Sequence, residues 1–243
     1  LRQNKSTMKK ISIAFVTLTV LFACSEKKLE NNLHLTGNIK GLKKGTLYVQ
    51  RVANNKLIAL DTIAIDGSSK FETDIELKSP EMLYLFLDRG VSNSLDNNVL
   101  FFAEPGNINI ETNLENYIAD AKVTGSKNQD LYYEFKKVDN RFQDEELDLI
   151  EKKFKAMKSN NAIEAAKVSA KQESNIKRKY LYATNFAINN KDHEIAPYIA
   201  LSEIYDINIK YLDTIQKSMS PKVAQSLYGK KLTEYIASIK KQQ

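Results

Sequence analysis

The sequence predicts an α+β protein: an N-terminal antiparallel β-sandwich followed by a C-terminal helical region with a long antiparallel helix pair. Two observations carry this prediction. Over residues 33–125, short runs of alternating apolar and polar residues are separated by turn residues, the pattern of half-buried strands in a sandwich. From residue 126 the apolar spacing changes to three and four, the spacing of amphipathic helices. A third observation, an uncharged apolar run over residues 11–23, sets a leading segment apart from both.

Residues 1–23 read as a signal peptide of the lipoprotein type, starting at Met8. Met8-Lys9-Lys10 places a basic pair before the apolar run. The run is thirteen residues long. That suits a signal core of about 7–15 residues, and a spanning helix needs about 20. It ends in Leu21-Phe22-Ala23-Cys24, which resembles the bacterial lipobox, with Phe22 bulkier than the residue usual at its place. A small residue before the cysteine gives a peptidase access to the backbone, and a thiol is a good nucleophile for forming a thioether. Cys24 is therefore the expected lipidation site. The protein is expected in the cell envelope, lipid-anchored through Cys24 on the periplasmic face or at the cell surface. One acyl chain binds a membrane marginally, whereas two hold it stably. Residues 24–32 are polar and read as a tether.

Cys24 is the only cysteine. Once it is acylated, disulfides, thiol redox catalysis and cysteine-based zinc sites are excluded within one chain. The net charge of +6 also shrinks, because residues 1–23 carry four basic residues and no acid. Of 36 Lys and Arg, 32 remain against 30 Asp and Glu, a net of +2. No nucleic-acid partner is expected from that balance. Residues 126–243 are the more basic part, with 21 basic and 16 acidic residues interspersed as on solvated helix faces.

Within residues 33–125, strands are predicted at 33–39, 46–52, 56–65, 71–77, 82–87, 99–103 and 108–112. Gly41, Asp66-Gly67-Ser68-Ser69, Ser79-Pro80 and Glu104-Pro105-Gly106-Asn107 mark turns. Residues 88–98 form a polar stretch, the best candidate for a functional loop. Within 126–243, Ser126 with Gln129 forms a capping-box pattern ahead of a helix over 127–158, whose apolar face is Leu131, Phe135, Val138, Phe142 and Leu149. A second helix over 162–189 offers Ala166, Ala170, Tyr180, Ala183 and Ala187 for close antiparallel pairing. Further helices are expected at 195–205, with Pro197 in the first turn, and at 208–217. Another starts with Ser220 as cap and Pro221 at N1. Gly229 punctuates before a last amphipathic stretch with Leu232, Tyr235, Ile236 and Ile239.

Catalytic chemistry is not expected. His34 and His193 are the only histidines and lack further ligands at zinc spacing. No phosphate loop or nucleophile elbow occurs. The acidic run Asp144-Glu145-Glu146 with Asp148 and Glu151 lacks calcium-loop spacing, and Lys152 and Lys155 stand four residues after two of its members. No cofactor and no metal is expected.

Several stretches resemble one family: Leu35-Thr36-Gly37-Asn38-Ile39-Lys40-Gly41-Leu42 followed by Gly45-Thr46-Leu47-Tyr48-Val49; Val123-Thr124-Gly125-Ser126 leading into Glu134-Phe135; and Ser220-Pro221 with Tyr228-Gly229-Lys230-Lys231-Leu232. The family is the domain of unknown function that precedes the thioredoxin domain in AhpC/TSA-type and TlpA-like lipoproteins of Bacteroidota. The resemblance implies a β-sandwich with helices, and it assigns redox chemistry to the thioredoxin domain, which this chain is expected to lack. No Cys-x-x-Cys is present, so no catalytic residue can be carried over. The expected function is a non-enzymatic envelope lipoprotein that binds a ligand or protein. The alternative is an accessory or truncated relative of a thiol-disulfide oxidoreductase, partnered by a thioredoxin-like protein.

Overall fold

The structure is a computed structural model that describes residues 31–54, 56–90 and 97–242. Cys24, the segment read as a signal peptide, most of the stretch read as a tether, and residues 91–96 of the polar loop lie outside the described residues.

The first part folds as expected into two stacked four-stranded sheets. One contains β1 (Leu33–Lys40), β4 (Lys70–Ile75), β7 (Gly106–Asn113) and β8 (Lys122–Thr124), in the order β4-β1-β7-β8. The other contains β2 (Lys44–Ala53), β3 (Lys56–Asp66), β5 (Glu81–Asp88) and β6 (Asn98–Ala103), in the order β3-β2-β5-β6. Alternation decides which side chains meet between the sheets. Leu33, Leu35 and Ile39 of β1 face Leu83, Leu85 and Leu87 of β5 in one buried core. Gly37 continues the inward row of β1 without a side chain. A Cβ there would stand 2.5 Å from the Phe71 ring and 2.3 Å from the Ile110 carbonyl oxygen, so glycine lets the neighbouring strands close over this position.

The expectation of an antiparallel sandwich needs one correction. Five of the six pairings among the described residues are antiparallel, but β1 and β7 run parallel, with Leu33 opposite Gly106 and Lys40 opposite Asn113. A parallel pair needs a long connection. Here the whole second sheet and β4 lie between the two strands in sequence. Strand β8, which periodicity missed, closes the first sheet and follows a turn carrying buried Tyr117. The Tyr117 hydroxyl donates to the Leu85 carbonyl at 3.0 Å, and burial pushes its pKa up.

Strands β5 and β6 are apolar on both faces because both are covered. Their inner residues join the sandwich core, while Met82 and Phe102 point outward into a second core made by the helices. There Phe102 meets the rings of Tyr198 and Tyr228 edge-on, at centroid distances of 5.7 and 6.0 Å. The helices are α1 (Lys127–Lys158), α2 (Ala162–Asn189), α3 (Ile195–Ser202), α4 (Ile209–Ser218), α5 (Pro221–Ala224) and α6 (Leu227–Gln242).

Both long helices have the predicted bounds, and side-chain caps start them. Ser126 Oγ accepts the Gln129 N–H at 3.0 Å, and Asn161 Oδ1 accepts the Glu164 N–H at 3.0 Å. Three local expectations change. Gln129 does not complete a capping box, because its Oε1 accepts the Phe102 N–H at 2.6 Å instead. Ser220 makes no side-chain cap, and the start of α5 relies on Pro221. Gly229 lies inside α6, where it permits α5 to pack closely: a Cβ there would stand 2.0 Å from the Val223 carbonyl oxygen.

Candidate functional site

Helix α1 has 32 residues, about 48 Å at 1.5 Å per residue. Its first turns are held in the helical core by Leu131 and Phe135, and Phe135 stacks on Tyr182 of α2 at 5.5 Å. Farther along, Leu149 and Ala156 of α1 and Val168 of α2 are buried outside both cores. This distal half of the pair is a two-helix arm with its own narrow seam.

The seam is antiparallel, as predicted, but α2 uses a different face near its start. Ala166 and Ala170 are exposed, whereas Val168 and Asn175 are buried. Seven-residue spacing returns a residue to the same side of a helix, and the alanine pair is out of step with that row. Ala183 and Ala187 are buried as expected. Polar contacts fix the register. Asn175 Nδ2 donates to the Phe142 carbonyl at 2.9 Å, Gln172 Nε2 donates to Glu146 at 2.7 Å, and Arg178 meets Glu145 at 2.7 Å.

Beside the seam the arm exposes Leu147, Ile150, Phe154 and Met157, which are between 50% and 68% accessible. Their spacing of three, four and three places them in one row along α1. The row runs into a groove of about 420 Å³ bordered by Phe142 and Leu147 on α1 and by Ile176 and Tyr180 on α2. Isolated apolar side chains on a surface are ordinary, but a continuous row beside a groove makes this face the candidate site. The sequence carried the signal in this spacing, but the buried face Leu131 to Leu149 drew the reading instead.

Gln143 and Lys179 line the groove and reach down to a charge network. Asp139 is fully buried, 2.6 Å from Lys136 Nζ and 3.4 Å from Lys179 Nζ, and it accepts from Gln143 Nε2 at 2.7 Å. Glu203, just past α3, stands 3.7 and 3.9 Å from the same two lysines. Two cations thus sit between two carboxylates. Nearby Tyr132 is pushed up to about 12, first by burial and then by the Glu203 and Asp139 charges, so its hydroxyl stays protonated at neutral pH. The network joins α1, α2 and the segment after α3, and it fixes the wall of the groove.

The other residues singled out in the sequence do not converge. His34 pairs with Asp74 at 2.7 Å on the exposed face of the first sheet, and His193 lies in the turn before α3. The acidic run spreads along α1, where Asp148 pairs with Lys152, Glu151 with Lys155 and Glu145 with Arg178. Among the described residues, no group of three or more His, Cys, Asp or Glu could hold a metal ion. Of the tyrosines, Tyr198 and Tyr228 pack in the helical core, while Tyr205 and Tyr211 are exposed. Among the described residues no helix is long and apolar enough to cross a membrane. Cys24, the lipidation site expected from the sequence, lies outside the described residues, as does most of the polar loop.

No curated protein and no solved structure matches the chain. The groove and the apolar row lie beyond the part of the chain that a family model recognises. That part is residues 33–132, the sandwich with the first turns of α1, which match the family described as a domain of unknown function (DUF4369).

Proposed function

We propose that the protein is a cell-envelope lipoprotein, held on a membrane by acylated Cys24, that acts as a non-enzymatic protein-binding module. The observation that carries the binding role is the row Leu147, Ile150, Phe154 and Met157 beside its groove. An amphipathic helix docks into such a surface by setting its own apolar residues, three and four apart, against the row. The Asp139 network supports this reading because it holds the groove in one shape before binding, which lowers the ordering cost of association. The envelope address is supported by the basic pair, the apolar run and the position of the only cysteine.

Photo-crosslinking in native membranes tests the binding role. A photoreactive phenylalanine analogue at position 154 should give one discrete adduct, and one at exposed Ala170 should not. Leu147→Ser combined with Phe154→Ser should leave the fold intact, and in that background an analogue at position 150 should lose the adduct. Equal labelling at 154 and 170, or none at 154, would contradict the proposal.

A second reading makes the partner a thioredoxin-like protein. The resemblance of the quoted stretches to the domain that precedes thioredoxin domains in envelope lipoproteins supports it. Mass spectrometry of the same adduct tests it, since a partner with a Cys-x-x-Cys motif is the expected result and any other fold contradicts it.

A further inference from the structure

The β2–β3 hairpin carries a feature that the binding role does not use. Strand β1 runs away from the point where the chain enters the sandwich, turns at Gly41, and β2 runs back. The tip of the β2–β3 hairpin therefore stands at the end where the chain enters. Side chains agree with this topology: Asn31, the first described residue, lines one groove of about 370 Å³ together with Arg51, Leu60, Ile75 and Lys78.

At this tip Val52 pairs with Leu57 and Arg51 with Ile58. Paired residues share a face and successive residues alternate, so the three apolar side chains occupy both faces of the hairpin. All three are exposed, at 46%, 50% and 47% for Val52, Leu57 and Ile58. Each face of the tip is thus about half open to solvent. Strand β3 is also a sheet edge. A long apolar edge in water invites aggregation, so it calls for a cover.

The tether says what lies near. Cys24 precedes Asn31 by seven residues, a reach of about 23 Å when fully extended. If Cys24 holds a leaflet, as the proposed function has it, the tip lies within reach of that leaflet. The charges around it suit anionic headgroups. Lys56 is exposed at the tip, and Arg51, Lys78 and Lys231 line a second groove against Val52. The one carboxylate there, Glu81, is buried and paired with Arg51 at 2.9 Å. Asp74 and Glu76 line the neighbouring groove and offset two cations, which leaves a small cationic excess around the tip.

We infer that Val52, Leu57 and Ile58 enter the interfacial layer of the membrane that holds Cys24, so that the hairpin fixes the orientation of the domain on the leaflet. This inference rests on the acylation of Cys24. The anchor supplies retention, and the hairpin supplies a second point of contact.

Because acylation consumes the only cysteine, Leu57→Cys supplies a unique thiol in the acylated full chain. It is labelled with a polarity-sensitive fluorophore and reconstituted in vesicles of phosphatidylethanolamine and phosphatidylglycerol. Intact mass is read on the same sample. Ile58→Cys is a second probe in case the first perturbs the hairpin, and Lys171→Cys on α2 is the control. The expected result is a blue-shifted emission at 57 and 58, with quenching by lipid-borne nitroxide several-fold greater than at 171. Equal access of aqueous iodide to 57, 58 and 171, in a sample whose mass includes acyl chains, overturns the inference and leaves the anchor standing. A mass without acyl chains removes the anchor and the inference together. Protection of 57 and 58 that appears only when envelope proteins are added overturns it in favour of a partner strand on the β3 edge.

Discussion

Gln129 Oε1 accepts the Phe102 N–H at 2.6 Å, so the first turn of α1 completes the hydrogen bonding of β6, an edge strand of its sheet. This bond joins the sandwich to the helices inside a buried interface. Gln129→Ala leaves the Phe102 amide without a partner, and the cost of such a group is about 1–3 kcal/mol. Chemical denaturation should show that loss, and hydrogen exchange should show earlier exchange at Phe102 than at its neighbours in β6.

The two classes of apolar residue on α1 should separate cleanly. Phe135 is fully buried, and Phe135→Ala should cost about 3–5 kcal/mol. Phe154 is exposed, so Phe154→Ser should change stability by less than about 0.5 kcal/mol. Thermal melts of the two variants check this, and a large loss from Phe154→Ser would mean that the arm packs against something in the chain itself.

Asp139→Asn tests the charge network. It leaves Lys136 and Lys179 facing only Glu203, at 3.7 and 3.9 Å. Both lysines are partly in water, which reduces the penalty, so a loss of about 1–3 kcal/mol is expected. A double-mutant cycle with Glu203→Gln should show non-additivity, since the two carboxylates share both cations.

Gly229→Ala should destabilise the helical core although alanine favours helix. Its Cβ would stand 2.0 Å from the Val223 carbonyl oxygen and 2.9 Å from the Ala224 Cα, so α5 must move. Overpacking of this kind costs about 1–3 kcal/mol. A lower melting temperature for Gly229→Ala, without loss at exposed Ala170→Ser, is the expected pattern.

Alkaline pH should loosen the helical core. Burial, joined by the hydrogen bond to Asp206, pushes Tyr180 up to about 12, and burial pushes Tyr132 to about 12. A tyrosine whose folded pKa lies above its ordinary value of about 10 binds its proton more tightly in the folded state. Its contribution is complete below about pH 10 and is lost as pH rises toward 12. Tyrosinate absorbance and far-UV circular dichroism should therefore change together between pH 10 and 12.

The sandwich and the long helices were legible in the sequence because each has a dominant period. The alternation over Phe71, Thr73, Ile75 and Leu77 and the cap Ser126 are local signals, and local geometry follows them, whereas the Asn161 cap of α2 emerged only in the structure. The parallel partnership of β1 and β7 was not legible, because pairing depends on which distant strands meet and not on either pattern. Gln129 was read as a capping residue because the sequence cannot show that a buried edge strand competes for its side chain. The candidate groove was legible only in part. Phe142 and Tyr180 belonged to predicted faces, but the row Leu147, Ile150, Phe154 and Met157 gains meaning only when no partner helix covers it.

Cys24 carries the proposed membrane attachment, on which the orientation of the hairpin also depends. The most direct test is intact-mass spectrometry of the native protein purified from membranes, with Cys24→Ser alongside. Residues 1–23 should be absent from the wild type. The remaining chain should carry the added mass of acyl chains on Cys24 and partition into detergent, whereas Cys24→Ser should lack that mass and leave the membrane fraction. A wild-type protein without acyl mass that partitions into the aqueous phase would contradict the account.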